Sequence, residues 1–166
     1  MRKEITHFFF LSLFISLPFI SSLWGAEKGE KYIVSRLGLT LEAAKEIAAS
    51  AQAKAQELGV AVAIAIVDEA GNLKLCYLMD SQTITALEWA KARALSSYEF
   101  RKPTSSGEFK VWNIAGRTMI LGVPGGFPLL YKGKLLGAIG VSGTKGKEDD
   151  IIAQAGLNRF KSLLPK

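Results

Sequence analysis

The sequence predicts a single α+β domain in which hairpin-linked strands form an antiparallel sheet covered by helices. The elements read in the order helix, two strands, helix, three strands, helix, which gives about five strands. The clearest hairpin lies within Gly125–Gly143, where the apolar runs Phe127–Tyr131 and Leu135–Val141 flank a turn at Lys132–Lys134. Glycine tolerates positive φ, so a Lys-Gly turn between apolar runs is typical of a tight hairpin. The second run is almost entirely apolar, which predicts a strand covered on both faces.

The first 26 residues predict a cleaved signal peptide. Arg2 and Lys3 precede an uncharged apolar run over residues 8–20, and the small pair Gly25-Ala26 follows. A basic start, a short apolar run and small residues are typical of secretory signals, and the run is too short to span a bilayer comfortably. We therefore expect a mature domain over residues 27–166 in the periplasm or outside the cell, with no stable membrane anchor after cleavage.

Two helices and two strands are predicted in the first half of the mature chain. Thr40 is suited to cap a helix that runs to Leu58 and ends at Gly59. The strands Val60–Val67 and Leu73–Met79 follow, joined by a polar turn. A second helix is predicted over Ile84–Tyr98, with the charged residues Glu88, Lys91 and Arg93 facing solvent.

The second half is predicted to begin with a loop and a short helix over Glu108–Ile114. A strand over Thr118–Val123 precedes the hairpin described above. The last helix starts at Asp149 or Asp150, where acidic side chains complement the helix dipole from the surface.

Charge and residue usage exclude several classes of function. The net charge of +6 is spread along the chain and Lys mostly alternates with Glu, so no patch for nucleic acid is predicted. The single cysteine, Cys76, excludes an internal disulfide, and we expect it to be a small buried residue. The only histidine is His7, inside the predicted signal. A mature chain without histidine excludes His-based acid–base catalysis and standard zinc sites.

A set of short motifs resembles the GlcG/HbpS-like family, which includes the C-terminal domain of PduO-type proteins. The motifs occur in the family's order: Val67-Asp68 with Gly71-Asn72-Leu73, Met79-Asp80, Ala90-Lys91-Ala92, Thr104, Gly125-Gly126-x-Pro128, Gly133, Gly137–Gly143 and Glu148-Asp149. The resemblance covers roughly Leu39–Leu157. It implies a profilin-like sheet with flanking helices, assembly into homo-oligomers and, for the HbpS-like members, haem binding by an exported protein.

The first functional hypothesis is therefore a protein that binds haem, a related tetrapyrrole or another small anionic ligand. Haem needs apolar walls and cations for its propionates. The candidates are Phe100, Phe109, Trp112 and Phe127 for the walls, and Arg101, Lys102 and Lys110 for the propionates. The residues leave Thr104, Tyr98, Met79 and Cys76 open as iron ligands, and the HbpS resemblance implies Thr104.

Two alternatives remain open at this point. A GlcG-like enzyme acting on a small organic acid would use Asp80, Lys91 and Glu148, with the Gly125-Gly126 backbone as an anion cradle. An oligomeric structural or signalling protein would instead use its Ala-rich helix faces for a subunit interface. The residues favour a binding protein over an enzyme.

Overall fold

The computed structural model describes residues 32–165, so the predicted signal peptide lies outside the described residues. The chain divides into two units, Met1–Ser35 and Arg36–Lys166, and the second unit contains the elements described here. They follow the order α1 (Leu41–Glu57), β1 (Ala63–Asp68), β2 (Leu73–Leu78), α2 (Ile84–Phe100), β3 (Lys110–Ile114), β4 (Arg117–Leu121), β5 (Gly126–Tyr131), β6 (Lys134–Ser142) and α3 (Lys147–Leu163). The predicted α+β class is confirmed.

The predicted starts of α1 and α2 are confirmed by their caps, whereas α3 starts at Lys147, before the predicted Asp149 or Asp150, and has no side-chain cap. Thr40 Oγ1 accepts a hydrogen bond from the Ala43 N–H at 3.1 Å, and Thr83 Oγ1 accepts one from Ala86 at 3.2 Å. Each bond satisfies a backbone donor that has no partner inside the first turn. Gly59, at φ 68°, follows the end of α1, in a conformation that glycine adopts without steric cost.

Four antiparallel strands form the main sheet, in the order β2-β1-β6-β5. Side chains alternate across β1: Ile64 and Ile66 join the core beneath α1 and α3, whereas Ala63 and Ala65 join the core beneath α2. Both faces of the central strands are therefore covered, as their unbroken apolar sequence predicted.

Helix α2 packs unusually close to the sheet because both surfaces carry small side chains. Ala86, Ala90 and Ala94 meet Ala65 and Ala138 there. At Gly140 a Cβ atom would overlap the carbonyl oxygen of Ala90, so this position requires glycine. This close packing fixes the position of α2 against the sheet.

The region 108–121 differs from the prediction. The expected helix over Glu108–Ile114 is wrong, because β3 occupies that stretch and pairs with β4 as a separate two-stranded sheet. The strand predicted over Thr118–Val123 is confirmed as β4, although it lies outside the main sheet. The Ser96 hydroxyl accepts a hydrogen bond of 2.6 Å from the Ile120 N–H, which fastens the hairpin to α2.

Candidate functional site

A cavity of about 500 Å³ lies along α2, between the β1–β2 connection and the tip of the β3–β4 hairpin, and reaches Val67 near the end of β1. Its floor is formed by α2 residues at helical spacing, Thr85, Glu88, Trp89, Ala92 and Leu95, which are opposite the alanines that pack on the sheet. Its volume falls within the roughly 300–1,000 Å³ that is usual for small-molecule sites.

Two loops complete the walls. One is the β1–β2 connection, which contributes Gly71, Asn72 and Leu73, and the other is the tip of the β3–β4 hairpin, Gly116–Thr118. The first is held to α2 because the Tyr98 hydroxyl donates a hydrogen bond of 3.0 Å to the Glu69 carbonyl. The second is held by the Ser96 bond described above. Both walls are thus attached to the helix that forms the floor.

The lining combines apolar surface with positive charge. Leu73, Trp89 and Leu95 supply apolar surface, and the Trp89 residue is 37% exposed, so part of its indole is open to a ligand. Among the described lining residues, Lys91 and Arg117 carry positive charge. This arrangement suits a ligand with a flat apolar body and carboxylate groups.

Lys91 is partnered by Glu88 on the same helix. Its Nζ donates to both carboxylate oxygens, at 2.9 and 3.0 Å. Both side chains are more than one third exposed, so the pair is screened by water and contributes little to stability. A ligand carboxylate can therefore also contact the Lys91 ammonium group, with little loss of protein stability.

Of the site residues predicted from the sequence, the structure places Lys91 in the wall of this cavity. Asp80 lies at the exposed β2–α2 turn. Met79 packs against the core beneath α1 and α3, on the opposite face of the sheet. Arg101, in the left-handed conformation at φ 52°, and Lys102 follow the C-terminus of α2, and both are exposed. Glu148, the third candidate for enzyme chemistry, belongs to the first turn of α3, so these candidates do not form one cluster.

Thr104, Gly125 and Gly126 are packed together inside the protein. Thr104 is 0% exposed, and its N–H donates to the Gly126 carbonyl at 3.0 Å. A Cβ on Gly126 would lie 2.6 Å from Thr104 Cγ2. The Gly125 N–H donates to Asp150 Oδ1 at 2.9 Å, so the expected anion cradle already holds a carboxylate of the chain itself.

The aromatic residues predicted as haem walls do not surround one space. Phe127 belongs to the core beneath α1 and α3. Phe100 and Trp112 form a tilted pair with ring centroids 5.4 Å apart. Phe109 is exposed, and Lys110 lies beside it at the start of β3. The tryptophan that lines the cavity, Trp89, was not among the predicted wall residues.

A buried ion pair corrects two further expectations. Arg93 was expected to face solvent and Asp149 to lie on the surface, but both are buried, and Arg93 Nη1 lies 2.7 Å from Asp149 Oδ2. Arg93 also donates to the Val141 carbonyl, and Asp149 Oδ1 accepts from the Thr144 N–H and hydroxyl. This pair ties α2, β6 and the start of α3 together, and so fixes the position of the helix beneath the cavity.

Cys76 is exposed, so the expectation that it is buried is wrong. It lies on the edge strand β2, opposite Ala65, beyond the part of the sheet face that α2 covers. Within residues 32–165 no group of three or more His, Cys, Asp or Glu side chains is placed to hold a metal ion. Nor does any helix in that range have the length and apolar character needed to cross a bilayer.

Comparison with known proteins identifies relatives of this chain. Residues 39–158 match the family described as "Haem degrading protein HbpS-like". An uncharacterized 15.0 kDa protein of Citrobacter freundii, from the dhaT-dhaS intergenic region, is 31% identical over 133 residues, which cover 75% of this chain and 94% of the relative.

Two solved structures are similar as well. A double mutant of HbpS from Streptomyces reticuli has a TM-score of 0.66 and 28% identity, over 80% of this chain and 92% of that one. A PduOC–haem complex has a TM-score of 0.64 and 22% identity, over 74% and 95% of the two chains. The second likeness concerns the fold alone.

Proposed function

Since this chain belongs to the HbpS-like family, we propose that it binds haem or a related tetrapyrrole in the cavity over α2. The observation that carries the proposal is the lining itself, which combines a partly exposed tryptophan with two cationic residues along α2 and the β3–β4 hairpin. The porphyrin plane would lie against Trp89 and Leu95, and its propionates would meet Lys91 and Arg117. The haem named in one structural neighbour and in the family description supports this choice of ligand.

The residues present fit the organic part of haem. Apolar walls and propionate partners are two of the features that haem sites require, and the cavity supplies both. We propose a binding role, because the acidic and basic candidates for catalysis, Asp80, Lys91 and Glu148, are not grouped. A small organic acid would leave the apolar part of the lining unused.

The proposal is tested by titrating the purified protein with haemin and following the Soret band. Replacing both Lys91 and Arg117 by Ala should weaken binding about five- to thirtyfold, because each partly exposed charge pair contributes about 0.5–1 kcal/mol. The matched control is Arg101→Ala with Lys102→Ala, which removes the same two residue types outside the cavity. It should leave haemin affinity unchanged.

The two double variants distinguish the cavity from the loop that follows α2. Equal folding of both is checked by circular dichroism and urea unfolding. A flat haemin titration of the wild type would reject the proposed function. Weaker binding in the Arg101/Lys102 variant, with normal binding in the Lys91/Arg117 variant, would move the ligand to the loop around Thr104.

We also propose that the protein acts after export and self-associates. Residues 1–26 support export by their signal-like sequence. Among the described residues, β3 pairs only with β4 and carries the exposed apolar side chains Val111 and Ile114, so its free edge suits contact with another copy. Mass spectrometry of the mature N-terminus and light scattering test these two points.

A further inference from the structure

The cavity offers a ligand apolar surface, two cations, one carboxylate and neutral polar groups; the polar side chains are those of Asn72, Thr85, Glu88, Lys91, Arg117 and Thr118. Strong protein ligands of haem iron are His, Cys, Met and Tyr side chains. None of these residue types occurs among the described residues that line the cavity. The lining therefore offers contacts to a macrocycle and its carboxylates, but it contains none of these strong ligands for the central metal.

The residues of these types elsewhere are engaged or distant from the cavity lining. Tyr98 donates its hydroxyl hydrogen to Glu69, and Met79 packs beneath the opposite face of the sheet. Cys76 is exposed on the edge strand and is not part of the lining. The single histidine of the chain, His7, belongs to the predicted signal.

Lys91 is the one nitrogen in the lining that can bind iron in principle, through its free amine. Its Nζ contacts both carboxylate oxygens of Glu88. An ammonium group held in such an ion pair has no lone pair to give to iron. The same positive charge attracts a propionate, so Lys91 is suited to bind the ligand's peripheral carboxylates and not its central metal.

We infer that this site selects a flat apolar ligand with peripheral carboxylates regardless of its central metal, so that a metal-free porphyrin dicarboxylate binds with an affinity similar to that of haem. The inference rests on the proposed function and narrows it. Binding is carried by the Trp89 face together with Lys91 and Arg117. None of these groups senses whether iron is present.

The experiment compares haemin with protoporphyrin IX, which has the same carboxylates and no metal. Porphyrin fluorescence reports direct binding of protoporphyrin IX, and displacement of bound protoporphyrin reports haemin. The two dissociation constants should agree within about threefold. Lys91→Ala with Arg117→Ala should weaken both ligands by the same factor, and so should Trp89→Ala. Arg101→Ala with Lys102→Ala should change neither.

Each outcome decides between the two proposals. If haemin binds and protoporphyrin IX binds more than about tenfold more weakly, iron is being recognised and the inference is overturned, whereas the proposed function stands. The same conclusion follows if the ratio of the two constants changes in the Lys91/Arg117 variant. If neither porphyrin binds, the proposed function itself fails. Glycolate, a small acid without an apolar body, should not displace either porphyrin.

Discussion

The ion pair between Arg93 and Asp149 offers a quantitative test of how the helix beneath the cavity is held. Asp149 is 0% exposed and Arg93 is 7% exposed, so water does not screen the pair. Asp149→Ala removes the carboxylate that contacts Arg93 at 2.7 Å and the acceptor of two bonds from Thr144. The guanidinium is then left buried without its counter-charge.

The expected cost follows from that burial. Removing one partner of a buried pair typically destabilises a protein by about 3–5 kcal/mol, because an uncompensated charge remains inside. Glu46 and Arg159 provide a matched comparison. Their nitrogen–oxygen distance is also 2.7 Å, but their side chains are 43% and 42% exposed, so Glu46→Ala should cost less than about 1 kcal/mol.

Urea unfolding of the two variants and the wild type measures the difference. With a slope of about 2 kcal/mol per molar urea, Asp149→Ala should lower the midpoint by about 1.5–2.5 M, and Glu46→Ala by less than about 0.5 M. Replacing both members, Arg93→Met with Asp149→Leu, should recover part of the loss, since no buried charge remains. Equal losses of unfolding free energy in the two single variants would show that burial does not determine how much an ion pair contributes to stability.

Three further predictions concern single residues. Thr104→Val should leave haemin affinity unchanged and raise the free energy of unfolding by up to about 1 kcal/mol, because it removes a buried hydroxyl that has no partner within the described residues; loss of binding would instead support Thr104 as an iron ligand. Gly140→Ala should destabilise the protein by about 3 kcal/mol, because the added methyl overlaps the backbone of α2 at Ala90, and an unchanged urea midpoint would contradict this close contact. Cys76 is exposed, so it should react with a chromogenic disulfide reagent as fast in the native protein as in urea, and slow native reaction would show that it is covered.

The sequence predicted the elements whose signals are local. Thr40 and Thr83 each precede a run rich in alanine and other strong helix formers, and the central strand β1 is an unbroken apolar run up to the turn that begins at Asp68. The helix predicted over Glu108–Ile114 failed although the local signal for a strand was present. Aromatic and β-branched residues occupy Phe109, Val111 and Trp112, and the Ala115-Gly116 pair that follows, with positive φ at both residues, forms a hairpin turn.

The cavity could not be predicted from the sequence because its walls come from three separated segments. The β1–β2 connection, helix α2 and the tip of the β3–β4 hairpin meet only after the hairpin folds over the helix, and that hairpin was not foreseen. Lys91 was found through its motif. Arg93 lies two residues after Lys91 and shows the same local charge pattern. Its partners Val141 and Asp149 lie about fifty residues further along the chain, so local sequence patterns could not predict its burial.

The location of a bound porphyrin tests most directly whether the cavity over α2 is the binding site. Metal-free protoporphyrin IX added to ¹⁵N-labelled protein shifts amide resonances near its ring, because the macrocycle carries a strong ring current. If the porphyrin binds in the cavity over α2, the largest shifts fall on the cavity-lining side of α2, from Thr85 to Leu95, and on Gly116–Thr118. Largest shifts at residues 101–104 and at Gly125-Gly126, or no shifts at all, would contradict binding in this cavity.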